Sequence, residues 1–201
     1  MAGGGFYGKL PSEGDFVTRR LPWEFTSAWD DWLQQGMQAS RAALGERWLA
    51  LYLSAPIWRF QVAPGVCGPL GWRGLFFASV DRVGRYFPLT LAFVDPGPVG
   101  LAALSGDAQA WTAIEDAALA GLSPTLPIAD FDRLMEALAL PGGAAADPAR
   151  PRVCLHTAGS DSLPARGAAY AQMPAPAAFT DLIAPAAPAA PASDASLLDL
   201  L

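Results

Sequence analysis

A chain of 201 residues with a net charge of −6 is a poor ligand for nucleic acid or for an anionic membrane surface. Both kinds of binding rest on neutralising phosphates with lysine and arginine. With 52% hydrophobic residues against 16% charged, the chain has the means to build one substantial core. Residues 1–94 hold nine Lys/Arg against seven Asp/Glu, residues 95–201 four against twelve, and 18 of the 21 aromatics stand at or before Trp111. The densest core is therefore expected in the N-terminal half.

No stretch approaches the roughly 18–20 apolar residues of a spanning helix. Residues 1–9 lack the basic and apolar segments of a signal peptide. Cys67 and Cys154 have no CxxC context and read as reduced thiols. A cytoplasmic protein without membrane insertion is expected.

Residues 6–10 read as a first strand, ended by Pro11 and Gly14. A helix follows, with Phe25, Ala28, Trp29, Trp32, Leu33 and Met37 at three- and four-residue spacing. Pro22 fits its first turn, and Asp30, Asp31, Gln34 and Gln35 occupy its wet face. Trp29 and Trp32 are thus core anchors rather than a ligand box. A second helical piece covers 46–53. Residues 57–62 alternate, with Trp58, Phe60 and Val62 on one side and Arg59 and Gln61 on the other, which predicts a strand with one wet face or near an edge.

Residues 75–80 and 86–94 read as a β-hairpin whose turn is 81–85 around Gly84. Pro88 removes a ladder donor and predicts a bulge or open edge there. Asp107 is placed to cap a helix with Trp111, Ile114, Ala118 and Leu122 inward. Asp130 is placed to cap another with Phe131, Leu134, Met135 and Leu138 inward. Residues 141–151 form a Gly/Ala/Pro linker, 152–157 a strand and 179–183 a last helical turn. One domain over 1–183 is expected, then a Pro/Ala-rich tail over 184–201 that ends in Leu197, Leu198, Leu200 and Leu201. Strands interleaved with helices indicate a mixed α/β domain with its sheet between helices.

The chemistry-bearing residues are sparse. The only histidine, His156, has Ser160, Asp161 and Ser162 downstream, but no strained nucleophile turn of the G-x-S-x-G type accompanies it. One His and two separated Cys do not make a structural zinc site. Asp15, Asp81 and Asp95 are a candidate magnesium set. The glycine-rich run 68–74 lacks the GKS or GKT of a phosphate cradle. Trp58-Arg59-Phe60 and Trp72-Arg73 interleave aromatics with arginine, yet the acidic total favours a sheet face over a nucleic-acid platform.

Two charged loops stand out. Lys9, Asp15 and Arg19 lie in or beside the first, and Asp81 and Arg85 lie in the second. Asp15, Arg19, Asp81 and Arg85 are candidates for carboxylate–guanidinium bridges that tie both loops to one sheet end. Whatever charge is left over would face a partner.

The motifs Gly8-Lys9-Leu10-Pro11-x-x-Gly14-Asp15-Phe16-Val17, Trp29-Asp30-x-Trp32-Leu33, Trp58-Arg59-Phe60, Gly65-Val66-Cys67-Gly68 and Ser79-x-Asp81-Arg82-x-Gly84-Arg85-x-Phe87-Pro88-Leu89 follow one another in order. Together they resemble the TagF family, also called ImpM, which is associated with bacterial type VI secretion. The match is densest over 6–91 and extends to about 140. The resemblance implies a three-layer α/β/α sandwich, here read with a mixed sheet. It implies a cytoplasmic, post-translational repressor of the secretion apparatus that binds the system's forkhead-associated scaffold protein. It brings no catalytic residue and no cofactor. The alternative is a small hydrolase or nucleotide-binding enzyme that uses the Asp81–Arg85 loop.

Overall fold

The computed structural model describes residues 3–142 and 151–184. Most of the linker and the tail beyond Ala184, with its four leucines, lie outside the described residues.

The chain forms β1 (Gly5–Gly8), β2 (Val17–Arg19), α1 (Trp23–Leu44), α2 (Trp48–Leu53), β3 (Trp58–Val62), β4 (Trp72–Phe77) and β5 (Leu89–Val94). It continues through α3 (Ala102–Ser105), α4 (Ala108–Ala120), α5 (Ile128–Ala137), β6 (Val153–Thr157), β7 (Arg166–Tyr170) and α6 (Phe179–Ile183). The seven strands make one sheet in the order β2-β1-β5-β4-β3-β6-β7. Every pairing is antiparallel, so the expected mixed sheet is corrected. Helices do connect the strands, but none returns the chain parallel to its spatial neighbour.

The expected helix is α1, with Pro22 at its N-cap in extended geometry. Phe25, Trp29, Trp32, Leu33 and Met37 are buried along one stripe, as their spacing requires. The hairpin is β4 and β5, which pair from Trp72 with Val94 to Phe77 with Leu89. Its second strand begins just after Pro88, which removes the need for a bulge. Asp107 caps α4 by accepting from the Ala110 amide at 3.1 Å. Asp130 instead sits in the first turn of α5, whose N-cap is Pro127, and Leu134 is exposed rather than inward.

Side chains alternate between two core clusters, as successive strand residues do. The first joins Trp58, Phe60, Trp72 and Phe76 to residues of α1, α2 and α6. The second joins Phe6, Leu75, Leu89 and Leu91 to Trp111, Ile114, Phe131 and Met135 of α4 and α5. Cys67 lies in the first and Cys154 in the second, and burial pushes the Cys67 thiol up to about 12.

The wet face expected for residues 57–62 is a second correction. β3 sits between β4 and β6, and Arg59 and Gln61 are buried. Distant segments supply their partners. Arg59 donates to Glu115 Oε1 at 2.7 Å and to the Leu104 carbonyl at 2.8 Å. Gln61 donates to Asp95 Oδ2 at 2.9 Å and to the Pro98 carbonyl at 3.1 Å. Trp72, Arg73 and Gly74, expected in a glycine-rich loop, open β4 instead.

Candidate functional site

Both motif loops lie at one end of the β4–β5 hairpin, and hydrogen bonds to backbone carbonyls weld them together. The Arg82 amide donates to the Glu13 carbonyl at 2.8 Å, and Ser79 Oγ donates to the Lys9 carbonyl at 2.7 Å. Tyr52 of α2 clamps the same end from the first core cluster. Its hydroxyl donates to the Ser79 carbonyl and accepts from the Ser79 amide, both at 3.0 Å. Gly84 takes φ +87°, a left-handed value that closes the turn without steric cost for glycine.

Asp81 is the hub. Its Oδ1 accepts from the amides of Val83 at 3.0 Å and Arg85 at 2.9 Å. Its Oδ2 accepts from Lys9 Nζ at 2.5 Å and from Arg85 Nε at 2.7 Å. Burial favours the neutral acid, but Lys9 and then Arg85 and the loop amides outweigh it, and the carboxyl is held well below the usual carboxylate range. Lys9 is enclosed further by the Phe16 ring, whose centroid is 4.4 Å from Nζ. Arg85 has 55% of its side chain exposed, and its other arm donates to the Gly14 carbonyl. Arg82 and Val83 are exposed beside it.

Three of the five sequence candidates therefore meet: Lys9, Asp81 and Arg85. The other two do not join them. Asp15 is exposed and accepts from the Phe16 amide at 2.8 Å, a local turn contact. Arg19 is exposed on β2 and donates to the Thr18 carbonyl at 2.9 Å. The expected four-residue bridge set is corrected to a Lys9–Asp81–Arg85 triad, because β2 carries Arg19 away to a position opposite Phe6 and the Asp15 carboxylate is turned onto the Phe16 amide of its own loop. Sequence reading did not find the aromatic support of this end. Phe16 packs against Phe87 at 4.8 Å and stacks on Tyr7 at 5.8 Å between ring centroids. The only signal for it was three aromatics flanking the two charged motifs.

The remaining candidates lose their chemistry. Asp95 follows β5 at the opposite end of the hairpin from Asp81, ten strand positions from the facing Arg85 and so roughly 30 Å away at strand rise. There it holds Gln61 and faces Arg73 Nε at 2.9 Å. Asp15, Asp81 and Asp95 thus form no common site, and the described residues contain no group of three His, Cys, Asp or Glu fit to hold a metal. Ser160 and Ser162 both donate to the Ser54 carbonyl, while His156 pairs across the sheet with Arg59. Burial and then Arg59 lower the His156 pKa, and its Nδ1 has no hydrogen-bond partner. Trp58 and Phe60 are core residues, not a stacking surface. Gly68 packs on Glu24 of α1 and Gly74 on the Leu91 carbonyl, so the glycines of that run serve close approach.

The family model for the TagF N-terminal domain, type VI secretion system-associated, matches residues 5–138. The chain belongs to the TagF family. The match spans both motif loops, α1 and the whole β3–β5 region, and so contains the triad. A comparison with curated proteins finds no match. Among solved structures, the crystal structure of PA0076 from Pseudomonas aeruginosa PAO1 is similar to this TagF-family chain, with a TM-score of 0.81 and 33% identity. That similarity covers 94% of this chain and 97% of the other. It therefore extends past the family model, through β6, β7 and α6. No helix among the described residues is long and apolar enough to cross a membrane.

Proposed function

We propose that this TagF-family protein restrains a type VI secretion system after translation by binding, without catalysis, the system's forkhead-associated scaffold protein in the cytoplasm. Membership of the TagF family carries this reading. The two core clusters support the three-layer arrangement that the resemblance implies.

The chemistry of the triad favours binding over catalysis. Both Asp81 oxygens are occupied by amides and cations, so its carboxylate is a weak base with no free lone pair aimed at a substrate. Arg85, Arg82 and Val83 stand outward on a loop that Asp81 and Lys9 hold rigid. Rigid exposed arginines beside an apolar group are common anchors of protein interfaces.

The test is a titration of the purified chain against the purified scaffold protein, paired with a secretion assay in cells that overproduce the chain. Saturable binding together with suppressed secretion is expected. Suppressed secretion without scaffold binding would assign the restraint to another partner, and normal secretion would end the repressor reading.

A further inference from the structure

A long trough runs beside α1 on the surface next to the triad, and nothing in the proposed scaffold contact uses it. Two adjoining hollows of about 540 and 410 Å³ share Asp31 as a common wall. One side is the α1 stripe from Trp23 to Arg41, about 27 Å long at helical rise. The other side is built of rings, Tyr7 in one hollow and Tyr86 with Phe87 in the other, with Phe16 packed across Tyr7 and Phe87. Trp23 is 76% exposed and Phe16 is 43% exposed, an unusual display for a small domain that buries its other tryptophans.

The charges along the trough are ordered. Asp30 is engaged by the Tyr7 hydroxyl at 2.6 Å and by Gln34 Nε2 at 2.5 Å. Asp31 is exposed and has no cationic partner among the described residues. Arg41 stacks on the Trp48 ring at 4.1 Å and has no carboxylate partner among the described residues. The two unmatched charges are ten residues apart on one helix face, about 15 Å. That separation equals four to five residues of extended chain. Thr18 of β2, the terminal strand among the described residues, lines the Trp23 end beside its cross-strand partner Tyr7.

We propose that this trough docks an extended segment of a partner protein. The segment carries an apolar side chain against Trp23 and Tyr7, a lysine or arginine against Asp31, and a carboxylate four or five positions away against Arg41. Charge complementarity sets its register, and the rings and Trp23 supply the buried area.

The experiment selects twelve-residue random peptides, displayed on phage, against the intact chain. Enriched peptides are expected to share a basic and an acidic residue at that spacing with a neighbouring apolar residue. Their binding is expected to weaken roughly tenfold in Asp31→Lys and in Arg41→Gln, and to fall on Trp23→Ala. Circular dichroism and the melting temperature confirm that each exposed-site variant stays folded. Failure to enrich any peptide, enrichment without the charge spacing, or binding indifferent to Asp31→Lys would each overturn the proposal. The scaffold protein is not a reagent in this experiment, so its outcome is independent of the scaffold titration.

Discussion

Lys9 Nζ lies 2.5 Å from Asp81 Oδ2, and the two side chains are only 5% and 0% exposed. The pair spans 72 positions in sequence and pins the end of β1 to the turn of the β4–β5 hairpin. Lys9→Met is expected to lower the melting temperature by about 10 °C, because removing one member of a buried ion pair strands the other. Thermal unfolding followed by circular dichroism measures it. An unchanged midpoint would show that Arg85 alone suffices to hold Asp81.

The same pair sets an acid dependence. The folded Asp81 carboxyl titrates below its unfolded value of about 4, so the unfolded chain takes up the proton first as pH falls. The stabilisation is therefore complete above about pH 5 and is lost progressively below pH 4. Urea unfolding of the natural chain and of Asp81→Asn should differ clearly at pH 7, and the gap should narrow below pH 4 and close only as the pH falls through the folded carboxyl's own, much lower pKa. A pH-independent difference would mean that the ion pairs contribute nothing beyond shape.

Arg85→Ala should fold, since the guanidinium is half exposed and the loop amides still hold Asp81. If this loop carries the scaffold contact, affinity should drop about 30-fold, the ~2 kcal/mol of an interface arginine. Arg85→Lys should recover only part, because a point charge does not replace a fork that bonds Asp81 and Gly14 together. A folded Arg85→Ala that binds and represses normally would remove the loop from the functional surface.

Trp32 packs edge-on to Phe76 and Phe179, and its indole nitrogen donates to the Pro174 carbonyl at 3.0 Å. Trp32→Ala should destabilise the fold by ~3–5 kcal/mol, with the lost hydrogen bond adding to the cavity. Chemical denaturation measures the loss, and a change below about 1 kcal/mol would contradict the buried anchor.

Arg59 lies between Glu115 and the Trp111 ring, 4.8 Å from its centroid, and faces His156 across the sheet. Glu115→Ala should cost about 3 kcal/mol, whereas the joint change Arg59→Met with Glu115→Leu should cost less than that single substitution. Because Arg59 helps lower the His156 pKa, removing its charge should raise that pKa in an NMR titration. In the natural chain the lowered value makes stability rise with pH up to about 6.5, where the unfolded histidine gives up its proton.

Local pattern alone determined the parts that one element settles for itself. The stripe of Phe25, Trp29, Trp32, Leu33 and Met37 specified α1 and its buried side, since helical geometry places those positions together whatever lies opposite. Asp107 specified the start of α4, because a cap needs only its own following amides. Charged glycine-bearing segments marked both motif loops. Tertiary structure decided what distant partners decide. Alternation in residues 57–62 revealed two faces but not what covers them, and Glu115 and Asp95, 56 and 34 positions onward, turned the polar face into core. The all-antiparallel order was equally illegible, because strand pairing is set by backbone edges and long-range closure, which leave no periodic trace in the chain. The same holds at the triad: five charged residues were visible in sequence, and only the meeting of β1 with the β4–β5 turn brought Lys9, and not Arg19, to Asp81 beside Arg85. An ion pair forms where the fold brings charges within reach and shields them from water, and both conditions belong to the assembled sheet.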